Sequence, residues 1–169
     1  MKLLLNLLML FLFFGCKSYS ISFKDNGTTP EEWKSFSIKN LETTAPNCPL
    51  DYAPKLTENL KDALQNNTRL SLNTKTGSGE VYIEGNVTTY QVTPIAIQNN
   101  NNASQNRLTI GVQFIIYISA PKEEIMNLNA SRFADFNSST NLSTIEGELL
   151  EQINSQIAQD LINKLLGNW

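Results

Sequence analysis

Eleven consecutive residues, Leu108 to Ile118, hold a strict alternation that puts Leu108, Ile110, Val112, Phe114, Ile116 and Ile118 on one face. A period of two excludes a helix and demands an extended strand with that face buried. The other face carries Thr109, Gln113, Ile115 and Tyr117, so only the first is wholly apolar. Its natural antiparallel partner is residues 80–97, where Val81, Ile83 and Val87 share a face and Gly85 is expected to mark a bulge. At about 3.3 Å per residue such a hairpin reaches some 40 Å, longer than most. It either projects or forms the middle of a sheet, with the polar run 99–106 (NNNNASQN) as its loop.

A long strand with one greasy face needs a cover, and the sequence offers two helices. Leu142, Ile145, Leu149, Ile153, Ile157, Leu161 and Leu165 are spaced by three or four, which predicts a long helix from about Ser143. Ser143 and Glu146 are expected to form a capping box, with Lys164 and Gly167 closing the far end. The opposite side of this helix is acidic, so its stripe reads as a core face and not a membrane face. Leu56, Leu60 and Leu64, with Ala53 and Ala63, predict a shorter helix ending near Asn67, with Pro54 tolerated in the first turn. Residues 33–42 predict a first strand, 43–51 a loop, 69–75 a short strand stopped by Gly77-Ser78-Gly79, 121–129 a turn and 130–136 one more short strand. The expected fold is α+β: a two-layer sandwich of a mixed or antiparallel sheet of about four or five strands with two helices packed on one face. The other face, carrying Tyr82, Tyr90, Gln113, Ile115 and Tyr117, is left uncovered and is the candidate contact surface for a partner.

Composition narrows the chemistry. The 169 residues include no histidine and two cysteines, so no imidazole-based triad, proton shuttle or histidine metal site is available, nor a zinc ribbon or disulfide scaffold. A formal charge of -3 and an isoelectric point near 5.0 argue against nucleic acid as a partner. Adjacent Glu123 and Glu124, alone or with Asp135, are the paired carboxylates a hydrolase would need, and they read as a solvated turn. The expectation is a protein that is not an enzyme and needs no cofactor or metal. Its 21 Asn, 14 Ser and 14 Thr make a surface of neutral hydrogen-bonding groups, suited to water or to a polar, partly enclosed contact.

The first sixteen residues set the compartment. Lys2 precedes an apolar run from Leu3 to Phe14, too short to span a bilayer core that needs roughly 20 residues but of signal-peptide length. It ends in Gly15-Cys16, which resembles a bacterial lipobox: Cys16 is the expected lipid-attachment residue, through which the chain holds the membrane. Residues 1–15 are then a signal peptide, 16–32 a lipidated tether with a short extended segment, and 33–169 a single domain. Cys48, left without a partner in a proline-rich turn, reads as incidental.

With that lipobox, a β-α-β-β-β-α order and the strings Val92-Thr93-Pro94-Ile95-Ala96-Ile97-Gln98, Gln105-Asn106-Arg107-Leu108-Thr109-Ile110 and Ser131-Arg132-Phe133-Ala134-Asp135-Phe136, the chain resembles the LptE-type lipopolysaccharide-assembly lipoproteins from Cys16 to Trp169. The resemblance implies an outer-membrane lipoprotein, anchored on the periplasmic side, that plugs and helps assemble the LptD β-barrel translocon and contacts lipopolysaccharide. Arg107, Lys122 and Arg132 are the candidate lipopolysaccharide contacts, sparse for a phosphate-bearing ligand, so plugging is favoured over strong binding. The alternative is an auxiliary lipoprotein of another envelope lipid-transport system of the ABC type.

Overall fold

The computed structural model describes residues 29–95 and 105–167. The apolar leader, Cys16, most of the asparagine loop and the last two residues lie outside them. The elements run β1 (Ser35–Ile38), β2 (Glu42–Thr43), α1 (Tyr52–Asn67), β3 (Ser71–Leu72), β4 (Val81–Ile95), β5 (Gln105–Ile118), β6 (Glu124–Asn137) and α2 (Leu142–Leu166). They form the expected α+β arrangement, with one mixed sheet of six strands ordered β3-β1-β4-β5-β6 and β2 beside β4. Strand β1 is parallel to both β3 and β4, whereas β4, β5 and β6 are antiparallel. The single strand expected over 33–42 is two, because β1 and β2 follow one another along the same edge of β4.

The alternating strand lies inside the sheet, between β4 and the edge strand β6. Leu108, Ile110 and Ile116 are fully buried, and the apolar stripes of both helices, Leu56, Leu60 and Leu64 with Ile153, Ile157 and Leu161, close over them. The helices are stitched to one another by polar groups, buried at Tyr52 and Asn154 and reaching the surface at Asn59. Tyr52 Oη donates to Asn154 Oδ1 at 2.8 Å, and Asn154 Nδ2 donates to Asn59 Oδ1 at 2.9 Å. A buried amide stays stable only when its polar atoms are paired, so this chain also fixes the helix register.

Three local expectations are corrected. Gly85 does not mark the bulge, which falls between Val87 and Thr89. Gly85 is needed for packing: a Cβ there would sit 2.9 Å from Leu41 Cγ and 3.0 Å from Phe114 Cδ1. Strand β6 is 14 residues long and begins at Glu124, inside the segment read as a turn. Pro121 gave the turn signal, but Met126 and Leu128 continue the phase of Ala130 and Ala134, and ladder bonds to β5 outweigh local preference. Finally, Asn141 is the N-cap of α2, its side chain accepting from Ser143 N at 3.1 Å. Glu146 points away from the cap and accepts from Tyr90 Oη instead.

Candidate functional site

The sheet face turned away from the helices is written in rows by the register of β4, β5 and β6. At one end stand Tyr82, Tyr117 and Ile125, followed by Glu84, Ile115 and Asn127, then Asn86, Gln113 and Asn129. Beyond the bulge come Thr89, Gly111 and Ser131, then Gln91, Thr109 and Phe133, and last Thr93, Arg107 and Asp135. The face therefore grades from aromatic and aliphatic, through neutral amides and hydroxyls, to an ion pair.

The aromatic end is ordered by stacking: Tyr82 and Tyr117 lie with centroids 5.6 Å apart and planes 23° from parallel. Tyr82 Oη donates to Glu84 Oε1 at 2.8 Å. Partial burial, then that carboxylate, push the phenol up to about 12, so it stays neutral and donating. In the middle, Asn86 Nδ2 donates to Thr44 Oγ1 at 2.9 Å, while Asn86 Oδ1 is shut from solvent with no hydrogen-bond partner. An unpaired buried acceptor costs about 1–3 kcal/mol, and it stands beside exposed Gln113.

Of the five residues expected on this face, Tyr82, Gln113, Ile115 and Tyr117 are there, and Tyr90 is not. One extra residue at the bulge inverts the alternation of β4, which turns Tyr90 under the helices. It is 8% exposed, meets Tyr52 edge-on at 5.8 Å and donates to Glu146. Reading residues 121–129 as a turn hid Ile125, Asn127 and Asn129, whose alternation with Met126 and Leu128 was the available signal.

The three candidate cations do not converge. Arg107 is at the far end of the open face, bidentate to Asp135 at 2.7 and 2.8 Å and stacked 3.6 Å over Phe133. The guanidinium's hydrogen bonds hold the Asp135 carboxyl below its ordinary range. Arg132 projects to the other side of the sheet, where its Nε donates to Asp160 of α2 at 2.7 Å. Lys122 is exposed in the β5–β6 turn, about 40 Å along the strands from Arg107 at 3.4 Å per residue.

The paired carboxylates are equally scattered. Glu123 and Glu124 are exposed at the start of β6, and Asp135 is near its end. Among the described residues no cluster of three or more acidic or thiol ligands could hold a metal ion. Cys48 is half-buried with its thiol pushed up by desolvation, the reverse of what a nucleophile needs. Searching the described residues, no helix is long and apolar enough to cross a membrane.

The comparisons with known proteins identify the family. The model of the family described as LptE, lipopolysaccharide-assembly, matches residues 34–165. The chain belongs to the LptE family. Membership brings a role in lipopolysaccharide assembly, as the quoted strings implied. Solved structures share the fold at low identity: a minor lipoprotein from Acinetobacter baumannii is 17% identical, with 80% of this chain and 94% of that one covered at a TM-score of 0.50. A protein from Chlamydia trachomatis is 9% identical, covering 80% and 99% at 0.55. One from Xanthomonas campestris is 12% identical, covering 83% and 87% at 0.55. No curated protein matches the chain.

Proposed function

We propose that this LptE-family chain is an outer-membrane lipoprotein, acylated at Cys16 and held on the periplasmic side, that plugs and helps assemble an LptD-type β-barrel. The observation that carries the reading is the open sheet face, whose middle is lined by Asn86, Gln113, Asn127, Asn129 and Ser131 in place of an apolar or charged surface. The lumen of a large barrel is polar, and neutral amides can exchange hydrogen bonds with such a wall without the cost of desolvating a charge. Lipopolysaccharide contact is secondary, because Arg107 and Arg132 are engaged in ion pairs on opposite faces of the sheet and Lys122 is remote from Arg107.

The test is recovery of the tagged full-length chain from detergent-solubilised membranes. An outer-membrane β-barrel should come with it. Recovery of an inner-membrane transporter in its place would assign the chain to another lipid-transport machine, and recovery of neither would remove the plug reading.

A further inference from the structure

We infer that the corner formed by Tyr82, Tyr117, Ile115 and Ile125 rests on the zwitterionic phospholipid surface in which the Cys16 anchor sits. This rests on the proposed acylation of Cys16.

The topology puts that corner where the chain arrives. Thr29, the first described residue, accepts through its carbonyl from Arg69 Nη2, which follows the end of α1. Trp33 Nε1 donates to Ala120 O at 2.6 Å, tying the entering chain to the end of β5. Val81 opens β4, Ile118 closes β5 and Glu124 opens β6, and the register sets all three side by side. The N-terminal entry and the aromatic end of the open face are therefore one end of the molecule. From Cys16 to Thr29 is 13 residues, a reach of at most about 45 Å fully extended. Strand β5, with 14 residues, is itself about 45 Å long, so the anchored end is the one the tether brings to the membrane without stretching.

Exposure at that corner is of the kind an interface takes up. Ile125 is 62% and Ile115 38% exposed with no charged group stacked on them; Phe133, at the other end of the face, is 47% exposed but carries the Arg107 guanidinium over its ring. Two stacked tyrosines beside them present rings with polar tips, the combination found at the headgroup level of bilayers. Ile125 is on the outermost strand, so no neighbour in the sheet shields it. A hollow of about 540 Å³ lined by Tyr82, Tyr117, Ile125, Glu123 and Glu124 gives room for a headgroup, with its cationic amine facing the carboxylates. Lys122 is outnumbered by Glu123 and Glu124 in the same turn, so no basic excess favours anionic lipid. The amides assigned to the barrel begin at Asn127, opposite Ile115 on β5, and continue away from the corner through Asn86, Gln113 and Asn129.

The test uses the full chain purified from membranes in a Cys48→Ser background and reconstituted in phosphatidylcholine vesicles, with the acyl mass on Cys16 measured on the same sample. A nitroxide is introduced through Ile125→Cys or, at the opposite end of α1 from the chain entry, through Leu50→Cys, which replaces a residue 91% exposed. Oxygen should reach the nitroxide at 125 several-fold better than a water-soluble nickel complex does, the reverse should hold at 50, and about 0.5 M salt should change neither. Equal nickel access at both positions in acylated, vesicle-bound protein would overturn the corner contact and leave the anchor standing. A Cys16 without acyl mass would overturn both.

Discussion

The two faces of one sheet show what each kind of patterning can specify. Toward the helices, Ile83, Phe114, Ile116 and Ile153 are sealed at 1% exposure or less, and polar groups that enter are paired, Asn154 between the two helices and Tyr90 from sheet to helix. Away from the helices, the same strands carry amides, hydroxyls and two exposed isoleucines, and an acceptor is left without a donor. Burial of the first face accounts for the fold. The second contributes little to it and so is free to be shaped for a partner.

That contrast breaks most visibly under charge. Ile153→Asp places an unpaired carboxylate in the sealed face and should abolish the cooperative thermal transition, while Gln113→Asp should stay within about 0.5 kcal/mol of the parent and weaken recovery of the barrel. An unchanged melting temperature for Ile153→Asp would contradict the packing of α2. Gly85→Val comes next: the added atoms collide with Leu41 and Phe114 and should cost about 1–3 kcal/mol by denaturant titration. Tyr90→Phe, which removes one layer-spanning hydrogen bond, should cost about 1 kcal/mol at neutral pH.

The same tyrosine sharpens the comparison through pH. Burial, then the Glu146 carboxylate, raise the Tyr90 phenol above its ordinary value near 10. A raised folded value means the contribution is whole below that ordinary value and is lost as pH climbs beyond it. Stability of the parent should therefore fall above pH about 10, and Tyr90→Phe should fall less steeply. Equal slopes would show that the phenol is not desolvated in the fold. Arg132→Ala should leave the thermal transition close to the parent's, because its pair with Asp160 is exposed and screened by solvent.

Much of the covered face was legible in the sequence because periodicity is a record of burial. The alternation over 108–118 and the stripe from Leu149 to Leu165 gave β5, α2 and the two-layer arrangement directly. What escaped was set by pairing and not by pattern. A one-residue bulge leaves no mark in composition, yet it moved Tyr90 from the candidate contact face to the core. Glu124–Asn129 follows Pro121 closely enough to read as part of its turn, and its alternation counts only once β5 lies beside it. Glu146 is placed well for a capping box, but a buried phenol across the interface competes for the same carboxylate. The contact face was legible only as an absence of helices, and Arg107, Lys122 and Arg132 looked like a set until the register separated them.

The most direct measurement places a photo-crosslinking residue at Gln113 and, separately, at Gln152 on the exposed side of α2 in the full-length chain in living cells. Irradiation should join the Gln113 probe to an outer-membrane β-barrel, identified by mass spectrometry, more strongly than the Gln152 probe. A barrel captured from Gln152 alone would contradict the assignment of the open face, and no barrel from either position would contradict the partnership.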